Sequence, residues 1–180
     1  GFKPVPDKTN GHMVITTTTH TRSFTTEDGF WDIYFSNLVE HEIAQKQNVI
    51  VFALMLEQPF WQLKKLKSLK FPSPIVPIES NLTVRNLLAC LFQSMRFYLR
   101  PLRLRGPVEI DGIDLSFLVK RAMAWSRESG DFFWSLRVYY CAREFARKFS
   151  ITRCLYPYSN LVWEKMLLLG IRSISPGTKM

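Results

Sequence analysis

Residues 13–19 read Met-Val-Ile-Thr-Thr-Thr-Thr, and the last six of them are all β-branched. Such side chains lose χ1 freedom in a helix and pack well on a pleated surface, so this segment is a strand. The run does not alternate cleanly between apolar and charged residues, which marks a strand covered on both faces. Val49–Leu56 is a second continuous apolar run of strand length. Between the two lie a polar loop, His20–Gly29, that closes on an Asp-Gly turn signal, and a helical pattern from about Phe30 to Gln47 with Ile33, Leu38 and Ile43 at apolar positions. Strand, loop, helix, strand implies a right-handed crossover and therefore a parallel sheet.

The alternation continues. Gln58–Leu69 reads as a short helix, and Pro72, Pro74 and Pro77 punctuate an extended segment through Ile75, Val76 and Ile78. Thr83 opens the clearest helix, in which Val84, Leu87, Leu88, Leu91, Phe92, Met95, Leu99 and Leu102 keep the i, i+3, i+4, i+7 spacing and Pro101 kinks or ends the run. Asp114 can cap a helix to about Ser129, Gly130 ends it, and Asp131 can cap another reaching Phe149. Ile151–Tyr158 then reads as a strand, Asn160–Leu169 as a helix and Ile171–Ile174 as a last short strand. This is an α/β pattern: a Rossmann-like, mostly parallel sheet flanked by helices, with a helical insertion from about Thr83 to Phe149. In such sheets ligands sit outside the carboxyl ends of the strands, which nominates the loops Thr19–Gly29 and Pro157–Asn160.

A chain of 180 residues, 47% of them hydrophobic, buries one substantial core and is too short for two ordinary domains. The expectation is a flexible leader over residues 1–12 and a single Rossmann-like domain over 13–180. A start at Gly and an end straight after a strand-like segment fit a fragment of a longer chain. No apolar stretch approaches the length of a membrane span and no apolar segment follows a basic start, so a cytoplasmic location is expected. Cys90, Cys141 and Cys154 are an odd set without CxxC spacing, which argues against a disulfide framework or a zinc module.

The net charge of +9 favours an anionic partner. Residues 62–105 hold nine basic side chains against one acid, Glu79, so +8 of it is local. Lys64, Lys65 and Lys67 alternate with Leu63, Leu66 and Leu69, and Arg96, Arg100 and Arg103 crowd the end of the long helix. Two readings fit: a basic amphipathic surface that lies against anionic lipid headgroups, or a core helix with a solvated charged face. Nucleic acid is not expected, because no nucleic-acid-binding motif accompanies the cations.

Two short constellations carry candidate chemistry. In the first loop, His20 and Arg22 stand near Glu27, Asp28 and Asp32. A His beside a carboxylate can serve as a general base near neutral pH and an Arg can hold a phosphate or carboxylate, although a lone loop His is more often an ordinary surface residue. In the second, Tyr156-Pro157-Tyr158-Ser159-Asn160-Leu161-Val162-Trp163-Glu164-Lys165, Asn160 can cap a helix whose first turn, with Trp163 and Glu164, favours an anion. Glu164 equally complements the helix dipole, and Trp163 equally fits a core position. GxGxxG, GxxxxGK and GxSxG are all absent, which sets aside the nucleotide-loop and serine-hydrolase classes they mark.

At these two constellations the chain resembles a bacterial family of surface carbohydrate (polysaccharide and lipopolysaccharide) biosynthesis proteins, glycosyltransferases with a GT-B-like double Rossmann architecture. The resemblance rests on His20-Thr21-Arg22-Ser23-Phe24, Asp28-Gly29 and Asp32-Ile33-Tyr34-Phe35, and on Tyr156, Tyr158, Asn160, Trp163, Glu164 and Lys165. Ser159 stands where that family's segment has its first Glu, and Val162 where Pro is common. The resemblance implies the N-terminal, acceptor-side half of an enzyme that moves a sugar from a nucleotide-sugar donor to a glycan or lipid-linked acceptor, with a second half holding most of the donor. It implies catalytic roles for His20, Asp32 and Glu164, and substrate contacts from Arg22, Ser23, Tyr156, Asn160 and Trp163. Neither a cofactor nor a metal is expected, since no DxD-like pair sits at a strand end. The alternative is a non-catalytic envelope-biosynthesis module that binds a partner or an acidic membrane through residues 62–105, peripheral to the inner face of the membrane.

Overall fold

In the computed structural model the β-branched run folds as strand β1 (His12–Thr19), buried along its whole length. The structure describes residues 11–19, 21–24, 32, 34–55, 59–68, 71, 73–100, 104, 106–158 and 161–180. After β1 come a 3-10 turn (Thr21–Phe24), helix α1 (Leu38–Ala44), strand β2 (Val49–Met55), helix α2 (Pro59–Ser68) and strand β3 (Ile75–Pro77). Far along the chain, β6 (Ile151–Leu155) and α6 (Val162–Arg172) follow a long helix, α5 (Asp131–Lys148). The sheet runs in the order β3-β2-β1-β6, and every pairing is parallel. The fold is thus α/β and Rossmann-like, with helices flanking a parallel sheet.

Period-2 alternation sorts the side chains of the sheet onto two faces. Met13 and Ile15 of β1, with Val49, Val51, Ala53 and Met55 of β2, form one buried cluster with Phe24, Val39 of α1 and Leu66 of α2. Both crossover helices lie on this one face, as right-handed connections that step the same way along a sheet require. On the other face, Phe52 of β2 stacks on Phe145 of α5 at 4.2 Å between ring centroids, and His12 meets Phe149 edge-on. The outer edge of β6 is covered by the chain end: the Cys154 N–H donates to the Lys179 carbonyl (2.8 Å) and the Lys179 N–H to that of Thr152 (3.0 Å). Closing an exposed edge in this way removes a template for pairing with another chain.

Strand β6 stops at Leu155, three residues short of the expected Tyr158, and two further elements depart from expectation, each for a local reason. Of the helix expected from Phe30 to Gln47, α1 occupies Leu38–Ala44, and among the described residues Asp32 and residues 34–37 are not helical. One carboxylate oxygen of Asp32, Oδ1, accepts the backbone N–H groups of Tyr34 (2.8 Å) and Phe35 (3.0 Å), and Ser36 sits at φ +49°, so the backbone is held in a turn that competes with the helix. At the other end of the chain, the strand expected at Ile171–Ile174 does not form, because α6 continues through Gly170 to Arg172. Leu167 and Ile171, one turn apart, are both fully buried. Gly170 lies so close to α5 that a Cβ there would stand 2.5 Å from the Tyr139 carbonyl oxygen and 2.9 Å from the Ala142 methyl carbon. The glycine therefore serves as a contact point between helices, where the sequence reads as a break.

Residues Thr83–Arg137 form a second compact unit, apart from the one made by Gly1–Leu82 and Val138–Met180. It holds helix α3 (Val84–Leu99), a two-stranded hairpin of β4 (Glu109–Ile110) and β5 (Ile113–Asp114), helix α4 (Ser116–Glu128) and the first two turns of α5. Thr83 caps α3 by accepting the Asn86 N–H, and the helix ends at Arg100, whose extended backbone suits the residue before a proline. Asp111 and Gly112 both adopt positive φ, the two-residue hairpin turn that favours Asp-Gly. The face that α3 buries is the reverse of the core-helix reading. Asn86, Cys90 and Ser94 are buried, while Val84 is 76% exposed, Phe92 66% and Leu99 80%.

Gly170→Ala tests the seating of α6 on α5. The added methyl overpacks the contact, and we expect a loss of about 1–3 kcal/mol in urea unfolding. An unchanged midpoint would show that the two helices do not meet there.

Candidate functional site

The strand order sets where a ligand can sit. From β1 the chain steps outward to β2 and β3, then returns to lay β6 on the opposite side of β1. The reversal between β1 and β6 is the topological switch point, where the loops leaving two adjacent parallel strands splay apart and open a crevice at their carboxyl ends. The segments that leave these strands are the 3-10 turn Thr21–Phe24 with the Asp32 turn, and Tyr156–Tyr158 leading to α6. They are the two constellations singled out in the sequence.

His20 and Asn160 lie outside the described residues, and Arg22 is placed by its backbone in the 3-10 turn. Ser23 is buried in that turn beside Phe24, which packs edge-on against Trp61 of α2. Asp32 is buried, with Oδ1 engaged by two backbone N–H groups; its Oδ2 is buried without a hydrogen-bond partner. Tyr156 is half-buried just past the end of β6. The N-cap of α6 is Leu161, so the cap expected of Asn160 is one residue displaced. A leucine has no side-chain acceptor; Glu164 Oε2 accepts the Leu161 N–H at 3.1 Å. Glu164 and Trp163 are both buried in the first turn of α6.

The threonines at the end of β1 were legible only as a strand, yet Thr19 anchors this end of the sheet through its side chain. Thr19 Oγ1 lies 2.6 Å from Gln62 Oε1 and 3.2 Å from the Leu54 carbonyl, while Gln62 Nε2 donates to the Thr19 carbonyl (3.3 Å). Gln62 is fully buried on α2, one turn before the buried Leu66, so it ties the crossover helix to the last residue of the central strand. A polar residue on the apolar face of a short helix is the signal that would have found it. Thr18 Oγ1 is buried with no hydrogen-bond partner. Buried polar atoms in a native fold are nearly always satisfied, and Thr18 Oγ1 and Asp32 Oδ2 are among the exceptions in the described residues.

Beneath this end of the sheet, Cys154 of β6 lies 3.8 Å from Thr16 Oγ1. Burial pushes its thiol up to about 11, with the Thr16 contact opposing the shift. A thiol held neutral in this way is no nucleophile, and all three cysteines are buried and outside any disulfide. Among the described residues no cluster of His, Cys, Asp and Glu could hold a metal ion.

On the basic surface, Lys64 of α2 is exposed, Lys65 stacks over Trp61 at 5.8 Å, and Lys67 shares the same helix. Arg96 and Arg100 are exposed at the end of α3, and Arg103 lies outside the described residues. The lysines and the arginines belong to different units. Comparison of the chain with protein-family models, with curated proteins and with solved structures gives no match.

The thiol of Cys154 makes a pH prediction. In the unfolded chain it ionises at 9.0 and in the fold only at about 11, so between those values the unfolded state has released a proton that the folded state keeps. Stability is full below pH 9 and falls as pH rises towards 11. The difference in urea midpoint between the wild type and Cys154→Ala should shrink across this window; a constant difference would contradict the buried neutral thiol.

Proposed function

We propose that this chain is the acceptor-side domain of a glycosyltransferase, which moves a sugar from a nucleotide-sugar donor to a cell-surface polysaccharide or lipid-linked acceptor on the cytoplasmic side of the membrane. One observation carries the reading. The two segments on which the resemblance to surface carbohydrate biosynthesis proteins rests leave the carboxyl ends of β1 and β6, the neighbouring strands at the switch point of the sheet.

In this reading the acceptor hydroxyl lies in the crevice and attacks the anomeric carbon of the donor. The new glycosidic bond forms as the bond to the nucleoside diphosphate breaks, and the diphosphate leaves with the bonding electron pair. Asp32, through Oδ2, or His20 takes the hydroxyl proton. Arg22 balances the diphosphate charge, and Glu164 fixes the start of α6, so that Tyr156, Asn160, Trp163 and Ser23 shape the acceptor's side of the cleft. A positioned base of this kind contributes on the order of 10² to 10⁴ in rate. A second reading, a non-catalytic module of envelope biosynthesis, is favoured by one feature, the apolar face that α3 leaves exposed.

The test is turnover by the whole protein that contains this chain, assayed as nucleoside diphosphate release from a panel of nucleotide sugars with glycan acceptors. Asp32→Asn keeps an Oδ1 that can accept the Tyr34 and Phe35 N–H groups, so its melting temperature should hold. We expect Asp32→Asn or His20→Ala to lower kcat by about 10² to 10⁴. Full turnover in both variants would remove the proposed base, and no turnover in the unaltered protein with any nucleotide sugar would favour the non-catalytic reading.

A further inference from the structure

At about 100° per residue, Val84, Leu87, Leu88, Leu91, Phe92, Met95 and Leu99 fall on one stripe of α3, and all seven are exposed. The stripe runs the length of a 16-residue helix, about 24 Å. A contiguous apolar surface of this size, left uncovered, marks an interaction site. Its charge frame points to the partner. Arg85 and Arg96 follow one edge of the stripe, next to Phe92 and Leu99, with Arg100 one turn beyond Arg96; all three are exposed, and α3 has no acidic residue.

Behind that edge Arg96, Arg100 and Arg127 border an open pocket of about 310 Å³. Its apolar wall includes Phe97 and Phe132, stacked at 4.1 Å, and Arg127 lies over the Phe97 ring at 5.1 Å. Arg127 Nη2 donates to the carbonyl oxygens of Phe97 (2.7 Å) and Arg100, which caps the end of α3.

We propose that the Thr83–Arg137 unit docks on an anionic phospholipid membrane. The α3 stripe lies in the interface with its apolar side chains among the acyl chains, and the arginine pocket receives a lipid phosphate. Three arguments select this occupant. The stripe is the convex crest of a single helix, a shape that acyl chains accept without a matching groove. Arginines on one edge can keep their heads in the headgroup layer while their stems lie along apolar surface. Finally, antiparallel pairing with a second copy of the chain would set arginine edge against arginine edge, a like-charge contact that opposes that pairing. The proposal stands whether or not the crevice at β1 and β6 is a transferase site.

The test is sedimentation of the full chain with phosphatidylcholine vesicles that contain phosphatidylglycerol, and with pure phosphatidylcholine vesicles. We expect binding to the anionic vesicles that weakens as salt rises. Arg96→Gln with Arg100→Gln should need roughly thirtyfold more lipid for half-binding. Leu88→Ser with Phe92→Ser and Leu99→Ser should abolish binding while leaving circular dichroism and melting unchanged, because these side chains are exposed in the fold. Absence of wild-type binding, or binding unaltered in the triple variant, overturns the proposal. So do two further outcomes. A wild-type dimer that ignores vesicles and dissociates in the triple variant would assign the face to a second copy. Binding that inorganic phosphate displaces fully, and that survives in the triple variant, would assign the pocket to a free anion.

Discussion

Strand β1 is hydrogen-bonded in parallel on both edges and buried along its whole length. Six consecutive β-branched residues commit this segment to an extended backbone, and burial on both faces obliges other elements to cover it. Parallel partners cannot be reached by tight turns, so each side needs a crossover. The chain crosses first over one face to β2 and β3 and later returns to β6 on the other side. The switch point between β1 and β6 follows from the central position of β1 and from no particular catalytic residue.

This constraint explains which parts of the fold were legible. The strands β1 and β2 are continuous apolar or β-branched runs, and α3 has an unbroken 3.6-residue period, so each was evident from pattern alone. The start of α1 was hidden because the Asp32 carboxylate captures two backbone N–H groups, a local competition that periodicity does not reveal. The end of α6 was hidden because Gly170 is a tight helix contact, and a glycine near a helix end reads by default as a stop. The direction in which α3 faces was hidden more deeply. A hydrophobic stripe states that a face avoids water; it does not state whether protein or another apolar phase will cover it.

The candidate site was legible to a similar degree. Its two segments stood out by composition, and their convergence on one end of the sheet needed the strand order. The roles of single residues shifted once their partners were seen. Glu164 closes the open end of α6 through the Leu161 N–H, and one oxygen of Asp32 is spent on a turn while the other is buried without a hydrogen-bond partner. Gln62 and the threonines of β1 entered the site only through their hydrogen bonds. The positive charge divides in the same way: the lysines of α2 and the arginines of α3 are continuous in sequence and belong to separate units.

The account depends most on the switch point being where a ligand binds. Amide chemical-shift mapping of the isotope-labelled chain, titrated with nucleotide sugars and with oligosaccharide acceptors, tests this directly. The account predicts shifts concentrated at Thr18, Thr19, Asp32, Tyr156 and Leu161–Glu164, with Thr83–Arg137 undisturbed. Shifts confined to Thr83–Arg137, or none at the ends of β1 and β6 with any of these ligands, would contradict it.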